Sequence, residues 1–201
     1  MPLTPISDIR RRDLILAAQE VLETQGVTGA TLERVAEKAG ASKGIVLHYF
    51  KNKQQLFIDV MRFANANLRI EVVRRMSQAK SPSDRLWAIV TANFSSAFFT
   101  AARSQSWLAL CAEVPREIEF KRLQVVIHAR MHSNLVSALK HLLPKDEASE
   151  FALCLSSLID GLWLRIAINP ATISRSLALN VMRGAISDRL GSFTPQITFD
   201  E

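Results

Sequence analysis

The chain has 201 residues, of which 48% are hydrophobic and 22% charged, with only seven glycines and seven prolines. This balance is typical of a protein with a substantial buried core and excludes a disordered or collagen-like chain. No apolar run approaches the ~18–20 residues of a membrane helix, and the first residues lack the apolar stretch of a signal peptide, so we expect a cytoplasmic protein. The formal net charge of +6 permits nucleic-acid binding without establishing it.

The first quarter of the chain predicts three helices. Apolar residues recur at helical spacing over 8–25, and a glycine follows where a helix would end. Thr31 can cap a second, very short helix that Gly40 closes. Ser42 can cap a third over 43–50. Two short helices joined by a tight glycine-containing turn are typical of a helix-turn-helix.

Long helical stretches follow Asn52, and none shows the period-two alternation of a strand. The predicted helices lie between prolines and polar breaks, at 54–79, 84–101, 104–114, 116–142, 146–168 and 172–190. We therefore expect an all-α protein with a DNA-binding domain over 8–68, a helical bundle for ligand binding and dimerisation over 69–190, and a frayed, flexible tail over 191–201.

The second short helix of a helix-turn-helix enters the major groove, and its N-terminal residues face the base edges. The free N–H groups at the start of segment 42–50 can hold a phosphate, and a glycine there allows close approach to the duplex. The expected contacts are Ser42, Lys43 and Gly44 at the helix start, Leu47, His48 and Tyr49 on the exposed turns, and Lys51 and Lys53 beyond the helix. Taken singly, the lysines can be a solvated face and Tyr49 a core aromatic. Their joint placement favours DNA contact.

The stretch ATLERVAEKAGASKGIVLHYFKNKQQLF, residues 30–57, resembles the head of the TetR family of bacterial regulators. The resemblance lies in the threonine, the Ala-Gly turn, the Ser-Lys-Gly step, the Tyr-Phe pair and the lysine that follows. It implies a homodimeric repressor that binds a palindromic operator and is released by a small ligand. It also implies phosphate contacts for Thr31, Ser42 and Lys53. Leu47 departs from the tyrosine that often stands at its position.

Further pieces resemble a choline-responsive branch of this family, which represses betaine synthesis. They are IRRRDLI at 9–15, GIVLHYFKNK at 44–53, WLAL at 107–110, RLQ at 122–124, SNLV at 133–136 and LIDGLWLR at 158–165. This resemblance implies choline or betaine aldehyde as the effector. The alternative is a TetR-type regulator of another catabolic or efflux operon that answers a different ligand.

A quaternary ammonium donates no hydrogen bonds, so proteins bind it with aromatic faces, sometimes beside a carboxylate. Trp87, Thr91, Phe94 and Phe98 share one face of the helix predicted over 84–101. The candidate ligand residues are the rings of Trp87, Phe94, Phe98, Trp107 and Trp163 and the carboxylates Glu113 and Asp160. Aromatic stripes at helical spacing are more often core, and Asp160 can equally bond Arg165 or a helix end.

A helix-turn-helix of this size gains specificity by presenting two copies to a palindrome, so a dimer interface is required. The last two predicted helices carry broad apolar stripes. The expected interface residues are Phe151, Leu155, Leu158, Leu162 and Ile166 on one helix and Ile173, Leu177, Val181 and Gly184 on the next. The alternative is that these stripes pack only within the chain.

Sequence motifs for other chemistry are lacking. Cys111 and Cys154 lie in apolar helical patterns and are expected to be buried, reduced thiols. His128 and His132 have the i, i+4 spacing of metal ligands, but no third ligand supports them, so we expect no metal and no cofactor. There is no GxSxG, HExxH or phosphate-binding glycine loop, and we therefore expect no enzyme.

Overall fold

The computed structural model describes residues 6–191 and 193–199. Over these residues the chain forms nine helices and no strand, which confirms the all-α prediction. The helices are α1 Ile6–Gly29, α2 Leu32–Lys38, α3 Lys43–Tyr49, α4 Lys53–Met76, α5 Pro82–Asn93, α6 Ala101–Cys111, α7 Ile118–Leu139, α8 Lys145–Ile168 and α9 Arg175–Leu190.

α2 and α3 lie where the local sequence predicts, whereas α1 begins two residues before the predicted 8–25 and resumes after the glycine that was expected to end it. Gly26 interrupts α1 with a φ of 68°, and Gly40 ends α2 with a φ of 58°. Glycine adopts this left-handed conformation without the steric cost that a Cβ brings. The hydroxyls of Thr31 and Ser42 each accept a hydrogen bond of 3.3 Å from the backbone N–H three residues later. α2 and α3 are therefore a capped helix-turn-helix pair.

The described helices belong to two compact units. Unit 1 contains the residues up to Asn65 together with Gln105–Leu123, and unit 2 contains Ala66–Ser104 and the residues from Gln124 onward. Unit 1 thus takes in a segment from the second half of the sequence, which the periodicity did not suggest. The division into domains at residues 68 and 69 stays a prediction.

The core of unit 2 surrounds α5, whose residues from Leu86 to Asn93 are all buried. α8 contributes Phe151, Leu155 and Leu162 to the same cluster, and α9 contributes Ala178, Met182 and Ile186. α8 is also long and apolar enough to cross a membrane, by length and composition alone. The sequence had suggested no such run. Because one face of α8 packs in this core, we interpret it as a core helix.

α5 ends at Asn93, eight residues before the predicted end. The hydroxyl of Thr91 donates to the carbonyl oxygen of Trp87 at 2.8 Å, and the amide of Asn93 donates to that of Ile89 at 2.8 Å. Side chains that bond back to the previous turn compete with the helical backbone pattern. Phe98 consequently lies in the irregular segment that follows, and the prediction that it shares a helix face with Trp87 is wrong.

The described part of the C-terminal tail is packed, in contrast to the frayed tail expected from the sequence. Phe193 is buried and meets the ring of Trp87 edge-on, with 5.8 Å between the ring centroids. The backbone N–H groups of Gln196 and Ile197 donate to Asp84 Oδ1 at 2.8 and 3.2 Å. Burial alone would raise the pKa of Asp84, but these bonds and the Ser81 hydroxyl lower it below its usual value.

Candidate nucleic-acid interface and ligand site

The short helix α3 has an inner and an outer face. Val46 and the capping residue Phe50 are buried, whereas Leu47 and His48 are exposed and Tyr49 is half-buried. The rings of His48 and Tyr49 meet edge-on at 5.2 Å. The residues expected to read DNA therefore lie on the outer face, and Phe50 is a core aromatic.

Gly44 is exposed in the first turn of α3, and a Cβ added there would meet only the Ser42 hydroxyl, at 3.7 Å. That distance is an ordinary van der Waals contact. Packing within the chain therefore does not require glycine at this position. The absence of a side chain suits close approach of something outside the chain.

The lysines near α3 have partners within unit 1. Lys43 forms an ion pair of 2.6 Å with Glu33, and this hydrogen bond lowers the pKa of the Glu33 carboxyl. Lys53 donates to the carbonyl oxygen of Val27 at 2.7 Å, and its ammonium lies 5.1 Å from the ring of Phe57. Lys51 is exposed. These contacts place the ammonium groups of Lys43 and Lys53 without using all their protons.

An aromatic cluster forms in unit 2. Phe99 lies edge-on to Phe94 at 5.0 Å and to Trp163 at 5.9 Å. The indole N–H of Trp163 donates to the carbonyl oxygen of Asn93 at 3.2 Å, beside the end of α5. Phe98 instead faces the guanidinium of Arg103 at 5.6 Å. Sequence reasoning missed Phe99, because it is found only once α5 is known to end at Asn93.

Trp87 is a predicted ligand residue whose ring is covered by other parts of the chain. It is almost fully buried, the guanidinium of Arg183 lies 4.5 Å from its centroid, and Phe193 contacts its edge. A cation from the protein itself thus occupies the ring face that a ligand would need. We conclude that Trp87 is a core residue.

Asp160 is a partly buried carboxylate one turn before Trp163 on α8. Its side chain is 35% exposed, and Oδ2 lies 3.5 Å from Nε2 of His128. Burial raises the pKa of Asp160, and the nearby His128 offsets part of this rise. The same His128 nitrogen lies 2.7 Å from the amide nitrogen of Gln124. Asp160 is therefore a carboxylate with incomplete charge compensation.

The other two predicted ligand residues, Trp107 and Glu113, lie in the segment that belongs to unit 1. Both are half-buried, and Glu113 lies 3.7 Å from the guanidinium of Arg116. His132 contacts the Ser149 hydroxyl at 3.3 Å. Within the described residues, no group of three potential ligands could hold a metal ion.

The α8 stripe predicted for dimerisation is mostly core. Phe151, Leu155, Leu162 and Ile166 are buried within unit 2, and Leu158 is half-buried. They lie on the inner face because α8 packs there against the cluster around α5. Ile173 lies just before α9 and is half-buried, whereas Leu177, Val181 and Gly184 of α9 are exposed.

The opposite face of α8 carries a second, exposed stripe. Its apolar members are Leu153, Leu164 and Ile168, which are 62%, 38% and 70% exposed. Gly161 lies between them, and a Cβ there, or at Gly184 on α9, would meet nothing within 4 Å. Cys154 is on this exposed side and Cys111 is half-buried, so the expectation of two buried thiols is wrong.

The capped helix-turn-helix with a larger all-helical unit defines a DNA-binding regulator of transcription. Residues 14–60 match the model for bacterial regulatory proteins of the tetR family, and residues 82–191 match the C-terminal model for BetI-type transcriptional repressors. The chain belongs to the TetR family and carries a BetI-type C-terminal domain. This confirms the family suggested by the sequence. Since the family consists of transcriptional regulators, it also confirms that the chain is not an enzyme.

Individual relatives support the same assignment. The chain is 38% identical, over 94% of its length and 98% of theirs, to the HTH-type transcriptional regulators BetI of Escherichia coli (strain SE11) and Shigella flexneri serotype 5b. A transcriptional regulator from Pseudomonas aeruginosa PAO1 has a TM-score of 0.80 at 23% identity, covering 94% of this chain and 93% of its own. A regulator from Saccharomonospora viridis, solved in complex with choline, has a TM-score of 0.80 at 17% identity, covering 90% and 96%. At such identities the two structures show a shared fold.

Proposed function

We propose that this TetR-family protein represses genes for the synthesis or uptake of glycine betaine, and that choline or betaine aldehyde relieves the repression. The observation that carries the proposal is Asp160, a carboxylate with only weak compensation from His128, one turn from the indole of Trp163. A quaternary ammonium supplies the missing positive charge and packs against aromatic faces. The BetI-type C-terminal domain supports the same effector class.

For operator binding, we propose that the outer face of α3 reads the major groove. The base and sugar contacts are Leu47, His48 and Tyr49, and Gly44 permits close approach. Thr31, Ser42, Lys43, Lys51 and Lys53 hold phosphates and fix the register. The protein would act in the cytoplasm, where the operator DNA is.

We also propose that a second copy of this chain covers the exposed face of α8 and α9. The exposed apolar residues are Leu153, Leu164 and Ile168 on α8 and Leu177 and Val181 on α9. Gly161 and Gly184 are not required by packing within the chain, and glycine lets two helices approach closely. A twofold operator also requires a twofold protein.

Isothermal titration of the purified protein with choline and with betaine aldehyde tests the effector. We expect micromolar to millimolar affinity. Replacing Trp163 by alanine should weaken binding by ~0.5–2 kcal/mol, and replacing it by phenylalanine should cost less because a ring face remains. Asp160→Asn should also weaken binding. Trp87→Phe is the matched control and should leave the affinity unchanged, since Arg183 covers that ring.

Titration in the presence of operator DNA tests whether the effector controls DNA binding. Linkage requires the operator to change choline affinity by the same factor by which choline changes operator affinity, typically about 5–150-fold. If neither compound gives heat at ~10 mM, where a millimolar site would be mostly filled, the effector is another small molecule. The protein would then be a TetR-type regulator of a different operon.

A further inference from the structure

Asp59 on α4 is a buried acidic residue in unit 1, with only 7% of its surface exposed. Its Oδ2 accepts a hydrogen bond of 2.5 Å from the guanidinium of Arg11 on α1, and its Oδ1 accepts one of 3.0 Å from Arg62. A buried carboxylate is expensive unless charged donors satisfy it. Two charge-assisted bonds meet this requirement, so Asp59 fixes both guanidinium groups.

Arg11 connects this carboxylate to the recognition helix. Its guanidinium carbon lies 4.7 Å from the ring centroid of Phe50, the residue that caps the C-terminal end of α3. The ring is fully buried, and the Phe50 N–H donates to the carbonyl oxygen of Val46 in the same helix. Arg11 therefore contacts both the Asp59 carboxylate and the ring at the C-terminal end of α3.

Arg62, the second guanidinium bound by Asp59, makes a weaker contact with the rest of unit 1. Arg62 also faces Glu119, in the first turn of α7, at 3.7 Å. Both side chains are about half exposed, and exposed pairs of this length contribute little to stability. Asp59 is therefore connected to α3 through the side chain of Arg11.

We propose that Asp59 is a positioning residue for operator binding, which holds the outer face of α3 in register by fixing Arg11 against Phe50. The carboxylate touches no DNA in this arrangement and acts through the other two residues. The inference rests on the proposed role of α3 in reading the operator. It assigns a role in operator binding to a buried acidic residue that does not itself contact DNA.

The test measures the Asp59→Asn protein on two duplexes: an operator selected from random DNA by the wild-type protein, and a random-sequence duplex of the same length. We expect operator affinity to fall on the order of tenfold, the effect of losing a charge-assisted bond. Affinity for the random duplex should not fall, and the salt dependence of operator binding should be unchanged because no phosphate contact is lost. Asp13→Asn, an exposed neighbour on α1 with the same charge change, is the matched control and should keep the wild-type ratio of the two affinities.

Arg11→Gln, alone and combined with Asp59→Asn, distinguishes positioning from direct contact. The double variant should lose no more operator affinity than the more affected single variant, since both changes break one connection. Circular-dichroism melting verifies that each variant is folded. If Asp59→Asn does not fold, Arg11→Gln decides: lower operator affinity at an unchanged salt slope supports the proposal.

Three results would overturn it: losses that add in the double variant, a salt slope reduced by about one in Arg11→Gln, or an equal change on both duplexes. Failure of the wild-type protein to enrich any operator would contradict the proposed function and this inference together. Normal enrichment followed by unchanged affinity of both variants would contradict this inference alone.

Discussion

Lys53 makes a contact within the fold, and we propose that the same side chain also contacts DNA. An ammonium group has three protons to donate, and Lys53 gives one to the carbonyl oxygen of Val27, just past the break at Gly26. The contact fixes the ammonium close to the point where α4 begins. The remaining protons are available to a phosphate that approaches from outside.

We therefore predict two separate effects of Lys53→Ala. The slope of log operator affinity against log salt should fall by ~1, as expected for one lost phosphate contact. The melting temperature should also fall slightly because the Val27 carbonyl oxygen loses its donor. Lys80→Ala, an exposed lysine of unit 2, is the control and should change neither quantity. A lower melting temperature at an unchanged slope would restrict Lys53 to a structural role.

At the scale of single elements, local signals predicted the head well. The caps and glycine breaks of α1 to α3 depend on one residue and its next turn, so the sequence contains all the information. The end of α5 depends on how the Thr91 and Asn93 side chains bond in a buried setting. The pattern of aromatic residues alone extended the helix too far, and it selected Phe98 where the structure places Phe99 in the cluster.

α8 shows a different limit of sequence reasoning. Its apolar residues fall on two opposite faces, and a helix that is apolar all round does not reveal which face its own chain will cover. The regular stripe at Phe151, Leu155 and Leu162 proved to be the inner one. Position 162 is thus unsuited to testing dimerisation, because a charge there would be buried in the core of unit 2 and cost several kcal/mol of stability.

A substitution that tests dimerisation should therefore lie on the exposed, outer face of α8. We predict that Leu164→Glu gives folded monomers that lose operator binding, because a carboxylate in an apolar interface is left without a partner. Val73→Glu places the same charge at an exposed apolar residue of α4 and should remain dimeric. Sedimentation measures the oligomeric state. A Leu164→Glu protein that sediments as a dimer would exclude this face as the interface.

At the scale of the whole molecule, both units are completed by residues distant in sequence. Unit 1 takes in Gln105–Leu123, and unit 2 is completed by the tail beyond α9. The buried guanidinium of Arg75 lies 4.7 Å from the ring of Phe199, and Asp84 accepts two backbone bonds from the same tail. The tail thus joins the end of α4 to the start of α5. No periodicity could predict this, since the tail has no helical pattern.

We predict that ending the chain at Gly191 lowers the melting temperature of unit 2, because the buried Asp84 carboxylate then loses two backbone donors. Phe193→Ala alone should cost about 3–5 kcal/mol, the usual range for a buried phenylalanine. Gln196→Ala keeps the backbone N–H that bonds to Asp84 and should be close to neutral. Chemical denaturation of the three proteins gives the comparison. Equal stability of the shortened and full-length chains would show that the tail contacts contribute nothing.

The hydrogen bonds between Asp84 and the tail can form only after the tail has been synthesised. Gln196 follows Asp84 by 112 residues. At the usual rate of ~5–20 residues per second, the nascent chain carries the Asp84 carboxylate without these donors for roughly 6–22 s. During that interval α5 lacks the contact between Phe193 and Trp87 as well. Unit 2 therefore reaches its final packing only after Ile197 has been synthesised, and until then the start of α5 lacks its contacts with the tail.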